Sequence, residues 1–142
     1  MSILMKELKA TIPFKVRFSE VDSMNIVWHG SYPLYLEDAR EAFGKKYGLG
    51  YYDIFNNGYF APLVELSFKY KKPMTYGMKP EITITYCYTD AAKIVFDYEI
   101  TDSQTGDVMA TGHSVQVFMD LSYQLVWANP EFYEEWKKRW QE

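Results

Sequence analysis

The sequence predicts an α+β domain: a five-stranded antiparallel sheet wrapped around one long central helix, with a second helix at the C-terminal end. Three observations predict it. Apolar residues recur at Tyr32, Tyr35, Leu36, Ala39, Phe43 and Tyr47, which is one face of an α-helix. One stretch before this helix and four after it alternate apolar and polar residues with a period of two. The helix stripe is broad and must be buried, and a curved sheet around it is the economical solution.

Each element has its own reason. Residues 1–10 read as a lead-in. Ile12, Phe14, Val16 and Phe18 then alternate with Pro13, Lys15 and Arg17, a half-buried strand that Pro13 near its start places at an edge or terminal position. The long helix has Ser31 as its expected N-cap, Pro33 in its first turn and Gly48 as its stop. Its other face carries Glu37, Asp38, Arg40, Glu41, Lys45 and Lys46. One or two helical turns are expected over 51–55, and Asn57-Gly58 turns the chain.

Four strands follow, at about 63–70, 82–88, 94–100 and 108–119, and their links predict an antiparallel meander. Gly112 inside the last strand predicts a bulge or a close backbone approach. For the final helix, Asn129 is the expected cap and Pro130 the first residue. Glu131 and Glu134 come early, Lys137, Lys138 and Arg139 late, so the charges complement the helix dipole. Phe132, Trp136 and Trp140 share its docking face, to be laid on the sheet or on a partner subunit. The whole chain, 1–142, reads as one domain, with a core at about 11–120 and a helical extension at about 129–141.

Composition narrows the function. Thirteen tyrosines and nine phenylalanines exceed what one small core hides, so some are expected at a subunit interface or a ligand groove. Net charge is −4 with no basic block, which argues against nucleic acid. Cys87 is the single cysteine, so no intramolecular disulfide forms. With two scattered histidines, no zinc-ligand spacing exists. No apolar run approaches the ~18–20 residues that span a bilayer. The first residues are too short and too charged for a signal peptide, and a cytoplasmic location is expected.

The chemistry concentrates at Asp22-Ser23-Met24-Asn25-Ile26-Val27-Trp28-His29-Gly30-Ser31-Tyr32. A helix N-terminus offers unpaired N–H donors and a partial positive charge. Asp22 places a carboxylate just upstream of it. A carboxylate beside backbone donors suits acyl transfer: one acts on water or on the carbonyl carbon, the others hold the oxyanion.

That stretch resembles the hotdog-fold thioesterases of the 4-hydroxybenzoyl-CoA thioesterase type. Their signature runs Asp-x-x-Gly-aliphatic-Val-x-(His, Asn or Tyr)-x-x-Tyr between the first strand and the central helix. Asp22, Ile26, Val27, His29 and Tyr32 match it. Arg17-Phe18, Tyr35-Leu36-Glu37-Asp38-Ala39-Arg40, Tyr70-Lys71-Lys72-Pro73, Ala110-Thr111-Gly112 and Val117-Phe118-Met119-Asp120 also fit, so the likeness runs from about Thr11 to about Asp120. Asn25 stands where the family has glycine, and asparagine tolerates the same left-handed turn.

The resemblance implies hydrolysis of acyl-CoA or acyl-carrier-protein thioesters. It implies Asp22 as general base or nucleophile and the backbone N–H of His29 as the group that polarises the carbonyl. It implies a homo-oligomer, dimer or tetramer, with acyl groups bound between subunits. No metal or resident cofactor is expected; coenzyme A is part of the substrate. Asn25, Ile26, Val27, Trp28 and Tyr32 are the expected substrate contacts beside the catalytic pair.

Glu65, Lys69 and Lys71 are weaker candidates for substrate contact. Glu65 is read first as a partner for a lysine, and the lysines as surface charges that can also meet the coenzyme's phosphates. His113 is read as structural. A Ser-His-Asp hydrolase is unsupported, since there is no G-x-S-x-G elbow. A hydratase of the same fold would carry a different motif. The competing class is a binding module that holds acyl-CoA or an acyl carrier protein without turnover. A bulky cluster at Met24, Trp28, Tyr32, Tyr51, Tyr52, Phe55, Tyr59 and Phe60 favours short-to-medium or aromatic acyl groups.

Overall fold

The computed structural model describes residues 7–141. In chain order the elements are β1 (Lys9–Pro13), α1 (Tyr32–Tyr47), α2 (Tyr51–Asn56), β2 (Tyr59–Phe60), β3 (Leu63–Tyr70), β4 (Pro80–Cys87), β5 (Lys93–Asp102), β6 (Val108–Asp120), β7 (Leu125–Val126) and α3 (Glu131–Gln141). Two short 3-10 turns, Phe18–Glu20 and His29–Ser31, lie between β1 and α1.

The helix forms where its apolar spacing predicts. Tyr32, Tyr35, Leu36, Ala39 and Phe43 are buried against the sheet, and Gly48 ends the helix with φ 74°. Phe43 is fully enclosed, and enclosing such a side chain stabilises the fold by roughly 1.5–3 kcal/mol. The strands alternate as expected. Ile82, Ile84 and Tyr86 of β4, and Ile94, Phe96, Tyr98 and Ile100 of β5, face the helix and are buried.

The pairing corrects the expected meander. β4, β5 and β6 do run consecutively, but β3 pairs β6 and not β4. The main sheet is ordered β1-β4-β5-β6-β3 and is antiparallel throughout, with short β2 and β7 on the far end of β6. The reason is the β3–β4 connection. Residues 71–79 form a link long enough to cross the end of the sheet, where a tight hairpin would have kept the two strands together. Met74 in that link is completely buried.

Other corrections are local. β1 begins at Lys9, inside the expected lead-in, and ends at Pro13, although Phe14 and Val16 still donate to the carbonyls of Pro80 and Met78. Residues 1–6 lie outside the described residues. Phe18 belongs to a 3-10 turn and is largely exposed. Neither expected side-chain cap forms. Ser31 Oγ donates to the Glu20 carbonyl at 3.2 Å. Asn129 donates to the Asp90 carbonyl, while the Pro130 carbonyl accepts from Tyr133 and Glu134 to start α3. In both cases a long-range partner takes the side chain that local geometry would have used.

Gly112 marks neither: it pairs in register with Phe68 and Tyr98, and a Cβ there would meet Leu36 Cδ2 of α1 at 3.5 Å, an ordinary van der Waals contact. The irregularities fall at Leu63/Glu65 and at Ile100/Thr101. α3 docks on this chain. Trp136 Nε1 donates to the Tyr47 carbonyl at the end of α1, and Trp136 and Tyr133 are buried. No helix among the described residues is long and apolar enough to cross a membrane.

Candidate active site at the start of the central helix

The segment from Arg17 to Ser31 is tied down by Glu20. Its carboxylate accepts from the Arg17 N–H at 2.8 Å and from the Tyr35 hydroxyl of α1 at 2.8 Å. Its carbonyl accepts from the Trp28 N–H and the Ser31 hydroxyl. Burial and the neighbouring Glu20 carboxylate push the Tyr35 hydroxyl pKa far up, so it stays a donor. Glu20 was missed by the sequence reading. An acidic residue three positions after Arg17, just before an apolar residue, was the available signal.

The Asp22 turn is built on this base. Asp22 and Asn25 close it through the Asn25 N–H, 3.0 Å from the Asp22 carbonyl, and Asp22 N–H reaches the Ile26 carbonyl at 2.9 Å. Asp22 Oδ1 accepts from the Met24 N–H at 2.8 Å. Asn25 has φ 62°, the left-handed conformation that its place in the motif predicts. Ile26 bridges Thr75, and the Val27 N–H donates to the Met74 carbonyl at 2.8 Å, so the β3–β4 link pins the far side of the turn.

His29 opens the 3-10 turn that runs into α1. Among the described residues, the backbone N–H groups of His29 and Gly30 meet no acceptor. Trp28 is half exposed and its ring lies over Gly30, where a Cβ would fall 2.3 Å from the indole. Gly30 therefore leaves room for the Trp28 ring, which sits tilted against His29 with centroids 5.1 Å apart. Tyr70, at the end of β3, donates to the His29 carbonyl at 3.4 Å and stacks edge-on with Tyr32 at 4.8 Å. Burial, with Tyr70 adding to it, raises the Tyr32 pKa.

The residues singled out in the sequence are thus placed in three ways. Met24, Asn25, Trp28 and His29 share the exposed rim of one loop, with Asp22 half-buried in it. Val27 and Tyr32 are buried in this chain's core and support that rim from below. Glu65 and Lys69 are elsewhere, on the sheet face turned away from α1. There Glu65 lies 3.6 Å from His113 Nε2, and Asp97 lies 2.7 Å from His113 Nδ1. Lys69 lines, with Asp97 and His113, a polar groove of about 630 Å³. Lys71 is exposed just beyond Tyr70, and its N–H is taken by the Met109 carbonyl.

A second cavity, of about 700 Å³, lies along α1 between α2, the start of β3 and the inner sheet face at Phe96 and Gln116. Arg40, which the helix pattern puts on the solvent face, lines it instead. Among the described residues, no group of three His, Cys, Asp or Glu side chains is arranged to hold a metal ion.

The family model of the Thioesterase-like superfamily matches residues 16–137. The chain belongs to that superfamily. Its curated relatives include YneP of Bacillus subtilis, a proposed acyl-CoA thioesterase, 34% identical over 89 residues that cover 61% of this chain and 62% of the relative. A proposed esterase of Synechocystis is 26% identical over 109 residues, covering 77% of this chain and 66% of the relative. The chain thus spans a little under two thirds of the length of each curated relative it matches. The thioesterase-like fold is shared with the DHNA-CoA thioesterase of Staphylococcus aureus. There the TM-score is 0.81 at 24% identity, over 92% of this chain and 89% of that one. The sheet wrapped around α1 is the hotdog fold.

Proposed function

We propose that this superfamily member hydrolyses acyl-CoA or acyl-carrier-protein thioesters to a free acid and a thiol. One observation carries the reading: a carboxylate held in a tight turn upstream of the unsatisfied N–H groups of the 3-10 turn that leads into the central helix. The thioester carbonyl oxygen accepts from the His29 N–H, which meets the charge that grows there during attack. Asp22 keeps Oδ1 on the Met24 N–H, and Oδ2 takes the proton of the attacking water. The tetrahedral adduct collapses with loss of thiolate. With a thiol pKa near ~8.5 the leaving group needs little acid help, so His29 acts through its backbone. Direct attack by Asp22, giving a mixed anhydride that water then opens, uses the same groups. In neither route do this chain's residues call for a metal or a resident cofactor; the coenzyme enters with the substrate.

The same reading includes a second copy of the chain. β3 pairs β6 along one edge, and its other edge has no partner among the described residues. Leu66 and Tyr70 on its inner face are 37% and 52% exposed, and Val64 is 60% exposed. Two copies joined at β3 would extend the sheet and cover these side chains. Because Tyr70 touches His29, such a contact would also wall the site.

The test is thiol release from a panel of acyl-CoAs. Turnover that depends on Asp22 supports hydrolysis. Saturable acyl-CoA binding with no thiol released from any chain length would favour a binding module.

A further inference from the structure

We propose that Tyr70 is a positioning residue for the thioester carbonyl: its hydroxyl holds the peptide between His29 and Gly30, so that the Gly30 N–H joins the His29 N–H on the carbonyl oxygen. The proposal rests on the thioesterase reading above and adds to it a second backbone donor and the side chain that aims it.

Pro33 creates the opening. In a continuous helix the His29 carbonyl would accept from the N–H four residues on, but that residue is Pro33, which has none. The Tyr70 hydroxyl reaches this carbonyl from the end of β3, at 3.4 Å, and meets no other partner among the described residues. A trans peptide is planar, with its C=O and N–H pointing opposite ways. A hydroxyl on the His29 carbonyl therefore leaves the Gly30 N–H directed away from Tyr70. That N–H is one of the two in this turn that meet no acceptor among the described residues.

Tyr70 is itself held firmly. Its backbone lies in the β3–β6 ladder opposite Ala110, and the next two N–H groups, of Lys71 and Lys72, both donate to the Met109 carbonyl. Its ring is edge-on to Tyr32 with centroids 4.8 Å apart, and stacked with Phe68 at 6.0 Å. Packing places the ring, and the hydroxyl is left to act on the peptide.

The bond matters most when charge moves. At 3.4 Å it is long for a hydrogen bond in the ground state. As attack proceeds, the thioester oxygen gains negative charge and draws on the Gly30 N–H. That polarises the peptide and makes the His29 oxygen a better acceptor, so the bonds on its two sides strengthen together. An interaction stronger in the transition state than in the ground state raises kcat and leaves KM alone.

The experiment measures thiol release from acetyl-, hexanoyl- and benzoyl-CoA by the wild-type protein, by Tyr70→Phe and by a protein with 4-aminophenylalanine in place of Tyr70. Tyr70→Phe keeps the ring, so melting temperature and KM should hardly move. Its kcat is expected to fall roughly five- to tenfold, the scale of one hydrogen bond and short of the roughly 10²–10³ for losing an oxyanion donor outright. 4-Aminophenylalanine returns an N–H donor to the same place and should restore most of the loss. A second readout follows the substrate. In an Asp22→Asn background, the infrared C=O stretch of bound, isotope-labelled hexanoyl-CoA should lie below that of free hexanoyl-CoA, and Tyr70→Phe should reverse part of that shift. An unchanged kcat in Tyr70→Phe beside an active wild-type protein would overturn the proposal. So would a loss carried by KM, a loss that 4-aminophenylalanine fails to restore, or a carbonyl shift indifferent to Tyr70. Absence of thiol release by the wild-type protein from all three thioesters, and from longer acyl-CoAs, would instead defeat the thioesterase reading on which it rests.

Discussion

The hydroxyls of Tyr86 on β4 and Tyr133 on α3 meet at 2.6 Å inside the core. Tyr133 also donates to the Lys93 carbonyl of β5 at 2.7 Å, so Tyr86 is the donor between the two. The pair is the polar part of α3's attachment to the sheet, and it is not symmetric. Tyr86→Phe leaves Tyr133 still bonded to Lys93 and should cost about 1 kcal/mol, the usual net value of a hydrogen bond. Tyr133→Phe strands a buried hydroxyl and a carbonyl and should cost more, about 2–4 kcal/mol with the lost desolvation included. Urea denaturation of the two variants orders them. Equal losses would mean that Lys93 is not a real partner.

Asp22→Asn keeps the Met24 contact, because the amide oxygen still accepts, but it removes the carboxylate. kcat should fall by at least ~10²-fold, the low end for losing a general base, with an unchanged circular dichroism spectrum. Activity within a few-fold of wild type on a verified acyl-CoA would remove Asp22 from the mechanism.

Asn25 sits at φ 62°. A β-branched residue there faces a steric penalty of roughly 1–2 kcal/mol, so Asn25→Val should destabilise the protein and disorder the turn that aims Asp22. Asn25→Gly should be close to neutral in thermal melts. A larger loss for glycine than for valine would contradict the left-handed assignment.

Buried tyrosines and Cys87 give the alkaline behaviour: burial raises the pKa of Tyr32, Tyr35, Tyr98 and Tyr133, and of Tyr86 and Cys87 with them. Burial pushes the Tyr86 hydroxyl up to about 12 from its ordinary 10.0. Burial, then the hydrogen bond to Asp97, pushes the Cys87 thiol up to about 11 from 9.0. Both folded values lie above the unfolded ones. Their contribution to stability is therefore complete below about pH 9 and is lost as pH climbs through 11 and 12. Melting temperature should fall above pH 9, less steeply in Tyr86→Phe. Cys87 should alkylate slowly with iodoacetamide at pH 8 compared with a free thiol, and rapid modification there would refute a raised thiol pKa.

A chain of 16.8 kDa that pairs through β3 should scatter light as a dimer or larger at micromolar concentration. Leu66→Lys, which puts a charge on the exposed inner face of that strand, should shift the population toward monomer. A monomer mass for the unmodified protein would rule out the shared-strand arrangement.

Much of this architecture was legible because it is periodic. The stripe from Tyr32 to Phe43 and the alternation from Ile82 to Ile100 are local signals, and both helix and strands form where those signals lie. The Asn25 turn was legible because one residue type has few conformational reasons to stand there. What escaped depends on distant partners. Nothing near Leu63–Tyr70 says that β3 pairs β6, since that choice is made by the link over 71–79. Ser31 and Asn129 have the chemistry of caps, but Glu20 and Asp90 claim them. Arg40 shows the same limit on the helix face. Its position in the period says solvent, and α2 and β3 fold over it.

β6 carries β5 and the short β7 on one edge and β3 and the short β2 on the other. Its place in the chain gives this a consequence for synthesis. β1 waits for β4 and β3 waits for β6, so neither early strand has a partner until much later residues have been made. A nascent chain that stops before Val108 holds β3 with both edges open, and its exposed Leu66 and Tyr70 have nothing of their own to meet. Contacts so distant in sequence close slowly. The hazardous interval for aggregation is therefore the one between the emergence of Tyr70 and that of Asp120, when the strand best suited to pairing with another molecule has yet to be offered its own.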